Sequence, residues 1–305
     1  PSGWISFNAV CCHHNGTSMD KRQRGGIMIN EGVSYHCFNC GFKASWQPGR
    51  NITTKFKKLL QWLNVPDDTI AKCSLEALRI QEDAGYTAPS AIPVFIDKAL
   101  PIGSKPIKEW LDNPPDEMMP VLEYMLSRNL FVDDYPFYWT DEDGFSNRLI
   151  IPFFYRHRVV GYTARLIRDG KVKYISEQQP GYVFNLDNQD YDRKFVIVTE
   201  GPVDAICVDG CAVMSNEAST QQITQINQLK REVIVVPDRD SAGLKLAEQA
   251  IENGWSVSMP EWPEGCKDVN DAVRQYGKVY ALWSIVTSKE NMPLKIQLRM
   301  KKWIL

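Results

Sequence analysis

The sequence predicts an α/β protein with a separate metal-binding segment near its N-terminus. One observation supports each part of this prediction. From residue 195 onward, short apolar segments alternate with segments of helical periodicity, a pattern typical of a parallel sheet flanked by helices. Near the N-terminus, cysteines and histidines are clustered in short motifs, which is typical of a metal-binding segment. The 305 residues, 44% of them hydrophobic, are enough for two or three small domains with cores of their own.

The alternation after residue 195 can be divided into individual elements. Apolar runs predict strands at 195–199, 212–215, 233–237 and 256–259. Helical periodicity predicts helices between and after them, at 202–209, 219–230, 241–253 and 278–288. Ser219 stands directly before the second of these helices, where a serine side chain caps a helix well. The C-terminal half is therefore expected to contain a parallel sheet.

The N-terminal half gives weaker signals. Short strands are predicted at 27–30 and 33–36, and apolar spacing predicts a helical segment over 52–83. Prolines and glycines are frequent over 85–106, which predicts a linker. A segment of mixed character follows from 107 to 194.

The net charge of −2 conceals alternating charged blocks. The net charge is +6 over 1–60, −10 over 61–145, +4 over 146–194, −6 over 195–288 and +4 over 289–305. Basic blocks suit a nucleic-acid backbone, although solvated faces without a partner show the same pattern. No apolar run approaches the ~20 residues that span a bilayer, and no secretory signal opens the chain. We therefore expect a cytoplasmic protein with reduced cysteines.

Two short motifs predict a zinc site. CCHH at 11–14 and CFNC at 37–40 each place two soft ligands two residues apart, and together they can surround one tetrahedral ion. We predict that Zn²⁺ is bound by Cys11, His14, Cys37 and Cys40. Cys12 and His13 are competing ligands that the spacing does not exclude. A structural zinc ion would also explain how so short a segment folds.

Acidic residues follow the predicted strands of the C-terminal half. Glu200 comes directly after one strand, Asp238 and Asp240 follow another, and Asp268 lies further along the chain. Because parallel strands end at the same edge of a sheet, these carboxylates are expected to meet there. Carboxylates suit Mg²⁺, which is held together with waters and substrate phosphates. Helix capping by the same acids is the alternative interpretation.

These motifs resemble those of a known family. Cys11 and His14 with the HCFNCG segment at 36–41 look like the zinc ribbon of bacterial and phage primases. Glu200-Gly201, the DRDSAG segment at 238–243 and Asp268 look like a Toprim domain. The segments NRLIIP and GYTAR, with Lys173-Tyr174, resemble the basic half of that family's RNA polymerase core. The order of the three parts is the family's order, and the pattern is most similar to the stand-alone primases of T-even-type bacteriophages.

The resemblance implies a domain layout. It places a zinc-binding ribbon at 1–47, a helical segment and linker at 48–106, and a basic half of the core, of mixed α and β structure, at 107–194. A Toprim catalytic domain would follow at 195–275 and a basic helical tail at 276–305.

The resemblance also implies an activity and residue roles. The expected function is a DNA primase that makes short RNA primers on single-stranded DNA from ribonucleoside triphosphates, for lagging-strand synthesis in a phage. Glu200 is implied to assist proton transfer or to bind a metal ion, and Asp238, Asp240 and Asp268 to hold Mg²⁺ in a two-metal mechanism. Phosphates of template or nucleotide are assigned to Arg148, Arg165 and Lys173.

The sequence departs from the family pattern in places, and other functions compete with priming. Arg239 stands where bacterial primases often have glycine, so it could neutralise charge, touch a phosphate or narrow the metal site. No G-x4-G-K-[ST] motif occurs, so a separate replicative helicase is the expected partner. The alternatives are a Toprim nuclease and a non-catalytic zinc-ribbon DNA-binding module. A topoisomerase is not expected, because the roughly 30 residues given after the predicted Toprim domain would not hold a strand-breaking domain.

Overall fold

The computed structural model describes residues 3–29, 32–48, 52–84, 93–189, 192–263 and 265–303. The chain divides into two compact units, Pro1–Ser90 (unit 1) and Ala91–Leu305 (unit 2). Among the described helices, none is long and apolar enough to cross a membrane. Residues 85–92 of the predicted linker over 85–106 lie outside the described residues.

Unit 1 contains a small antiparallel sheet. Its four strands pair in chain order: β1 (Trp4–Phe7), β2 (Gly25–Ile29), β3 (Val33–Cys37) and β4 (Lys43–Trp46). The two strands predicted from the sequence correspond to β2 and β3, although Asn30 lies outside the described residues. The sheet packs against Phe56 and Leu59 of the following helix, and the cysteine thiols belong to the same small core.

The predicted helical segment of unit 1 is two helices, α1 (Thr54–Trp62) and α2 (Asp67–Ala84). Thr53 caps α1, because its side chain accepts a hydrogen bond from the Phe56 N–H. The break falls at Asn64, which has a left-handed φ of 59°, and is followed by Pro66. Local backbone chemistry therefore ends the first helix where apolar spacing alone predicted continuity.

Unit 2 begins with an antiparallel sheet. Its strands are paired in chain order: β5 (Lys105–Pro106), β6 (Tyr138–Trp139), β7 (Arg148–Tyr155), β8 (Arg158–Leu166) and β9 (Tyr174–Glu177). Helix α3 (Met119–Ser127) lies between β5 and β6 in the chain. Large side chains such as Trp139, Phe153 and Phe184 are fully buried in the core of this unit.

The second sheet of unit 2 is mainly parallel, as predicted. Its strand order is β11-β10-β12-β13-β14, and the only antiparallel pairing among these strands is that of β14 with β13. The strands are β10 (Phe195–Thr199), β11 (Cys211–Ala212), β12 (Glu232–Val235), β13 (Ser256–Ser258) and β14 (Lys289–Glu290). The helices are α4 (Pro202–Cys207), α5 (Thr220–Gln228), α6 (Gly243–Glu252), α7 (Val269–Tyr276), α8 (Lys278–Ser288) and α9 (Pro293–Trp303).

The boundaries of these elements show where the sequence was informative. Ser219 caps α5 as predicted, in a capping box with Gln222. The strand predicted at 212–215 is only two residues long, because its neighbour β10 pairs with it only at Cys211 and Ala212. The basic tail forms α9, which buries Ile296, Met300 and Trp303 in the core.

Candidate active site and metal centre

Four cysteine thiols converge in unit 1. The Sγ atom of Cys11 lies 3.4 Å from that of Cys40, and the Sγ atom of Cys12 lies 3.5 Å from that of Cys37. All four sulfur atoms lie within 4.8 Å of one another. Thiolates bound about 2.3 Å from a tetrahedral zinc ion lie about 3.8 Å apart, so the four sulfurs are spaced for one such ion.

The surroundings of the thiols also suit a cation. The side-chain amide of Asn39 donates to Cys12 Sγ at 3.2 Å, and the backbone N–H groups of Asn39 and Cys40 point at Cys37 Sγ. Such donors stabilise thiolates bound to a metal ion. Burial raises the pKa of the Cys11 thiol when no cation is present. A divalent ion would supply the positive charge that these buried thiolates lack.

The structure brings Cys12, rather than His14, to the other three predicted ligands. A short 3-10 helix begins directly after Cys12, and its two histidines are exposed to solvent. The His14 ring stacks on Trp62 with a centroid separation of 4.7 Å and an interplanar angle of 7°. The adjacent cysteines of the CCHH motif thus supply two sulfurs, which the spacing left open as an alternative.

A cavity of about 560 Å³ opens at the carboxyl edge of the second sheet of unit 2. Acidic residues reach it from the loops and helix α4 that follow the strands of that sheet, and cations reach it from the end of α3 and from the antiparallel sheet and its loops. We call it the acidic cavity. The charged residues that line it are Glu200, Asp204, Asp238 and Asp268, with Arg128, Arg165 and Lys173.

Strand pairing brings Glu200 and Asp238 together. Strands β10 and β12 are parallel neighbours, with Val198 opposite Val235, so both acids leave the sheet at the same edge. The Asp238 N–H donates to Glu200 Oε1 at 3.2 Å. Gly243 allows this approach, because a Cβ atom there would lie 2.2 Å from the Asp238 carbonyl oxygen and 2.9 Å from Glu200 Oε1. The sequence prediction that these two acids meet is thus matched by the geometry.

Asp204 is a further acid of the cavity that was not among the predicted site residues. It lies in α4 and is 8% exposed, and its Oδ1 accepts the Asn270 N–H at 2.9 Å. The Asn270 side chain in turn bonds Arg128, through its Oδ1 at 3.0 Å and its Nδ2 at 2.7 Å. The signal was present in the sequence, since Asp204 and Asn270 stand in the same EGPVD and KDVND segments as Glu200 and Asp268.

The acidic cavity disfavours negative charge unless a cation is present. Burial, together with neighbouring Asp204 and Glu200, raises the pKa of Asp238 to about 9. Burial and the nearby Asp268 carboxylate raise the pKa of Asp204 to about 7. Burial also raises the pKa of Glu200 and of Asp268. Carboxyl groups crowded in this way gain from a bound divalent cation, which favours their ionised forms.

Two of the predicted acids accept backbone N–H groups near helix starts: Asp268 is the N-cap residue of α7, as the alternative interpretation held, whereas Asp240 lies two residues before the N-cap position of α6. Asp268 Oδ1 accepts the Asp271 N–H at 2.7 Å at the start of α7, yet Asp268 still lines the cavity. Asp240 Oδ1 accepts the N–H groups of Ala242 and Gly243. Asp240 is exposed and is not one of the residues that line the acidic cavity. Asp268 therefore both caps a helix and lines the cavity, whereas Asp240 bonds N–H groups at a helix start and does not line the cavity.

The carboxylates do not form a closed metal cage. Over the described part of the chain, the four cysteines are the only group of three or more Cys, His, Asp or Glu residues with ligand atoms within 4.8 Å of one another. Mg²⁺ commonly keeps several waters and takes one or two carboxylates together with substrate phosphates. The open acidic cavity leaves room for waters and further oxygen ligands beside its carboxylates.

Among the predicted cations, Arg165 and Lys173 line the acidic cavity. The Arg165 guanidinium lies 5.4 Å from the ring centroid of Tyr124 and 5.2 Å from that of Tyr174, and it donates to the Tyr174 hydroxyl. Its Nε atom is buried without a hydrogen-bond partner in the described structure. A half-buried guanidinium that lines a cavity beside acids can offer N–H donors to an anionic ligand. Neither tyrosine was predicted as a site residue.

Arg148 and Arg239 serve the fold instead of facing a phosphate. Arg148, predicted to bind phosphate, is 6% exposed and donates to the carbonyl oxygens of Gly144, Ala164 and Val172. Arg148 lies in the buried strand β7 and hydrogen-bonds three separate backbone segments. The sequence motif around it did not predict this role. Arg239 donates to the Trp303 carbonyl at 3.0 Å and lies over the Trp303 ring, so it anchors α9.

Comparison with known proteins places the acids in a recognised segment. Residues 197–273 match the model of a family described as Toprim-like. The match runs from β10 into α7 and includes Glu200, Asp204, Asp238, Asp240 and Asp268. The chain is thus an α/β protein with a Toprim-like segment that carries the acidic cavity's carboxylates.

A curated relative has a related sequence. A DNA primase from Clostridium acetobutylicum is 27% identical over 156 residues, which cover 45% of this chain and 26% of that protein. The chain therefore spans about a quarter of the length of this relative.

Solved structures show weaker likenesses. The Escherichia coli primase catalytic core has a TM-score of 0.48 at 16% identity, covering 60% of this chain and 76% of that one. The DnaG catalytic core has a TM-score of 0.47 at 17% identity, with the same coverage of 60% and 76%. TM-scores below 0.5 do not establish a shared fold.

Proposed function

We propose that this chain is a DNA primase that synthesises short RNA primers on a single-stranded DNA template. One observation carries the proposal: the acidic cavity places the carboxylates of a Toprim-like segment opposite cations and aromatic rings of a second sheet, within a single space of about 560 Å³. Carboxylates for divalent ions and cations for phosphates are the two requirements of nucleotidyl transfer. The Clostridium acetobutylicum relative, named a DNA primase, adds support.

The proposed reaction assigns roles to the residues of the cavity. The 3′-hydroxyl of the growing primer attacks the α-phosphorus of the next ribonucleoside triphosphate and gives its proton to Glu200 or to a water. The bond to the bridging oxygen breaks, and pyrophosphate leaves. Mg²⁺ ions, when bound, would neutralise the triphosphate and lower the pKa of the attacking hydroxyl. Glu200, Asp238 and Asp268, together with Asp204 in the same cavity, would hold these ions, and Arg165 and Lys173 would hold phosphates.

The four-cysteine cluster would bind a structural Zn²⁺ and contribute to template recognition. The supporting observation is the spacing of four buried or half-buried sulfurs that lie within 4.8 Å of one another. The proposed ligands are Cys11, Cys12, Cys37 and Cys40, with Cys12 in the place first expected for His14. A replicative helicase as partner and a role in lagging-strand synthesis for a bacteriophage complete the proposal, on the resemblance described above.

Primer synthesis in vitro tests the proposal. The chain is incubated with single-stranded DNA, the four ribonucleotides and Mg²⁺, and short RNA products are separated on a gel. We expect products from the wild type, none from Asp238→Ala, and normal amounts from Asp133→Ala, an exposed acid paired only with Lys108 in the described structure. Arg165→Ala should weaken nucleotide or template binding, whereas Arg148→Ala should lower stability.

Other outcomes of the same assay would favour the competing functions. Cleavage of the DNA, without RNA products, would indicate a Toprim nuclease. Binding of DNA with neither cleavage nor synthesis would indicate a non-catalytic module. Near-normal synthesis by a folded Asp238→Ala variant would remove the acidic cavity from the mechanism.

A further inference from the structure

A second cavity, of about 890 Å³, lies in unit 2 at the opposite end of the parallel strands. Arg231, which lines it, directly precedes β12, whereas Asp238 follows the carboxyl end of the same strand. Seven residues of extended chain separate the two positions by about 20 Å. The two cavities share no lining residue among those described. The second cavity is therefore distinct from the proposed catalytic site.

The walls of this cavity combine amides with apolar surface. Carboxamide side chains line it from the loop after Phe184 and from helix α5, and we call it the amide cavity. The amides are Asn188, Gln189, Gln225 and Gln228. Apolar surface comes from Phe154, Tyr155, Leu186 and Leu229. A pocket of this size with flat apolar walls and a few polar groups is typical of a small-molecule site.

A buried hydrogen-bond acceptor of the amide cavity lacks a partner. Gln189 is 3% exposed, and its Nε2 donates to the Asn185 carbonyl at 3.0 Å. That bond fixes the orientation of the amide, because a flipped amide would place Gln189 Oε1 against the Asn185 carbonyl oxygen, and two acceptors repel each other. Its Oε1 atom is consequently held without a partner in the described structure. An N–H or O–H group of a ligand would satisfy this acceptor.

The rim of the cavity carries cations. Arg156 and His157 form the two-residue turn between β7 and β8, with left-handed φ values of 49° and 62°. The Asp187 carboxylate accepts the Arg156 N–H and so fixes the turn. The Arg156 guanidinium lies 5.2 Å from the Tyr155 ring centroid and stays exposed. Two arginines, Arg156 and Arg231, line the cavity against Asp187, and the exposed Arg156 guanidinium favours an anionic ligand.

We propose that the amide cavity is a second, non-catalytic binding site for a nucleoside phosphate. The base would present an N–H donor to Gln189 Oε1 and lie against the aromatic and aliphatic walls. The phosphates would reach the rim, where an exposed guanidinium offers bidentate hydrogen bonds. The base thus meets Gln189 Oε1, which lacks a partner in the described structure, and the phosphates meet the exposed Arg156 guanidinium. The inference goes beyond the proposed primase activity and does not depend on it.

Binding of a fluorescent nucleotide, N-methylanthraniloyl-ATP, to the 305-residue chain tests this site. The acidic cavity is disabled by Asp238→Asn with Asp268→Asn, and Mg²⁺ is left out. We expect saturable binding to persist in this double variant. Adding Arg156→Gln should weaken that binding at least tenfold. The matched control, Arg158→Gln, removes an exposed arginine of the same hairpin that pairs with Asp97 and does not line the cavity, so affinity should change less than twofold.

Two further arms test the recognition of the base. Gln189→Met keeps the side-chain length without the acceptor and should weaken binding at least fivefold. If that variant does not fold, the displacement experiment below decides, because it needs no substitution at Gln189. Unlabelled ATP should displace the probe, whereas tripolyphosphate at the same concentration should not.

Three results would overturn the inference. The first is loss of all nucleotide binding in the double variant, which would leave only the acidic cavity. The second is an equal effect of Arg156→Gln and Arg158→Gln. The third is full displacement by tripolyphosphate, which would indicate an anion site without base recognition. Because primer synthesis is not the readout, the outcome stands whether or not the chain makes primers.

Discussion

At the scale of single residues, Cys12 and His14 are the two candidates for the fourth ligand of the predicted zinc ion. Both satisfy the spacing of the N-terminal motif, but only the Cys12 sulfur lies within reach of the other three thiols. The His14 imidazole is exposed and stacked on Trp62. Substituting each residue separately therefore distinguishes the two ligand sets.

We expect Cys12→Ser to lose zinc and His14→Ala to keep it. A serine hydroxyl is a poor zinc ligand, so one of four bonds is lost, whereas the histidine contributes only a stacking contact. The measurement is zinc per chain in the purified proteins, with Cys73→Ser, an exposed cysteine outside the cluster, as control. Zinc retained in Cys12→Ser and lost in His14→Ala would restore the set first predicted.

The carboxyl groups of the acidic cavity predict how stability depends on pH. In the metal-free protein the pKa is raised to about 9 for Asp238 and to about 7 for Asp204. In the unfolded chain the pKa of each is about 4. The folded state thus binds these protons more tightly. The stability that this proton binding contributes is complete below about pH 4 and is lost as the pH rises through the folded pKa values.

We therefore expect the free energy of unfolding of the metal-free wild type to fall between pH 5 and pH 9. Asp238→Asn should fall less, and at pH 9 it should be more stable than the wild type by about 2 kcal/mol, since one buried charge is absent. Mg²⁺ should stabilise the wild type at pH 9 more than at pH 5, and should not do so in the variant. Urea unfolding at pH 5, 7 and 9, with and without Mg²⁺, measures this. Identical pH profiles of the two proteins would contradict it.

At the scale of elements, helix α6 begins where the acidic site is most crowded. Asp240 accepts two N–H groups at its start, and Gly243 lies against the backbone of Asp238 and the carboxylate of Glu200. A side chain at 243 would have to push apart the two acids that β10 and β12 bring together. The packing of this one helix start thus helps to set the distance between Glu200 and Asp238.

Gly243→Ala is expected to destabilise the fold by about 1–3 kcal/mol and to reduce primer synthesis at least tenfold. The added Cβ would lie 2.2 Å from a backbone carbonyl oxygen, so the loop must move. Ser241→Ala, an exposed change in the same loop, should leave both quantities nearly unchanged. Urea unfolding and the primer assay provide the two measurements. Wild-type activity in Gly243→Ala would show that the separation of the two acids is not critical.

At the scale of the whole molecule, the two proposed sites belong to different units. The cysteine cluster lies in unit 1, and the described residues that line the acidic cavity belong to unit 2. Each unit has its own hydrophobic core among the described residues. Loss of zinc should therefore impair the template recognition proposed for unit 1 without abolishing the bond formation proposed for unit 2.

Cys37→Ser is expected to reduce template-dependent initiation at least tenfold while extension of a supplied primer changes less than threefold. The reason is that template recognition is assigned to unit 1, whereas bond formation is assigned to the carboxylates of unit 2. Both activities are measured on the same template, with Cys73→Ser as control. Equal loss of both activities would show that the zinc centre only supports the fold.

The sequence alone was sufficient for features that depend on local pattern. Period and capping predicted the alternation after residue 195, and Ser219 does cap α5 with Gln222. Strand ends predicted that Glu200 and Asp238 would meet, because parallel strands end at one edge of a sheet. Motif spacing located three of the four converging thiols, at Cys11, Cys37 and Cys40.

The tertiary structure decided what depends on which way a side chain faces. In the folded chain the His14 ring stacks on Trp62, and the Cys12 thiol lies with the other three thiols. Arg148 is buried and donates hydrogen bonds to backbone carbonyl groups. It also brings Arg128, at the end of α3, beside Asn270, 142 residues away. Spacing and residue type fix which chemistry is available, whereas burial and long-range packing select the side chains that supply it, since both depend on contacts that no short segment contains.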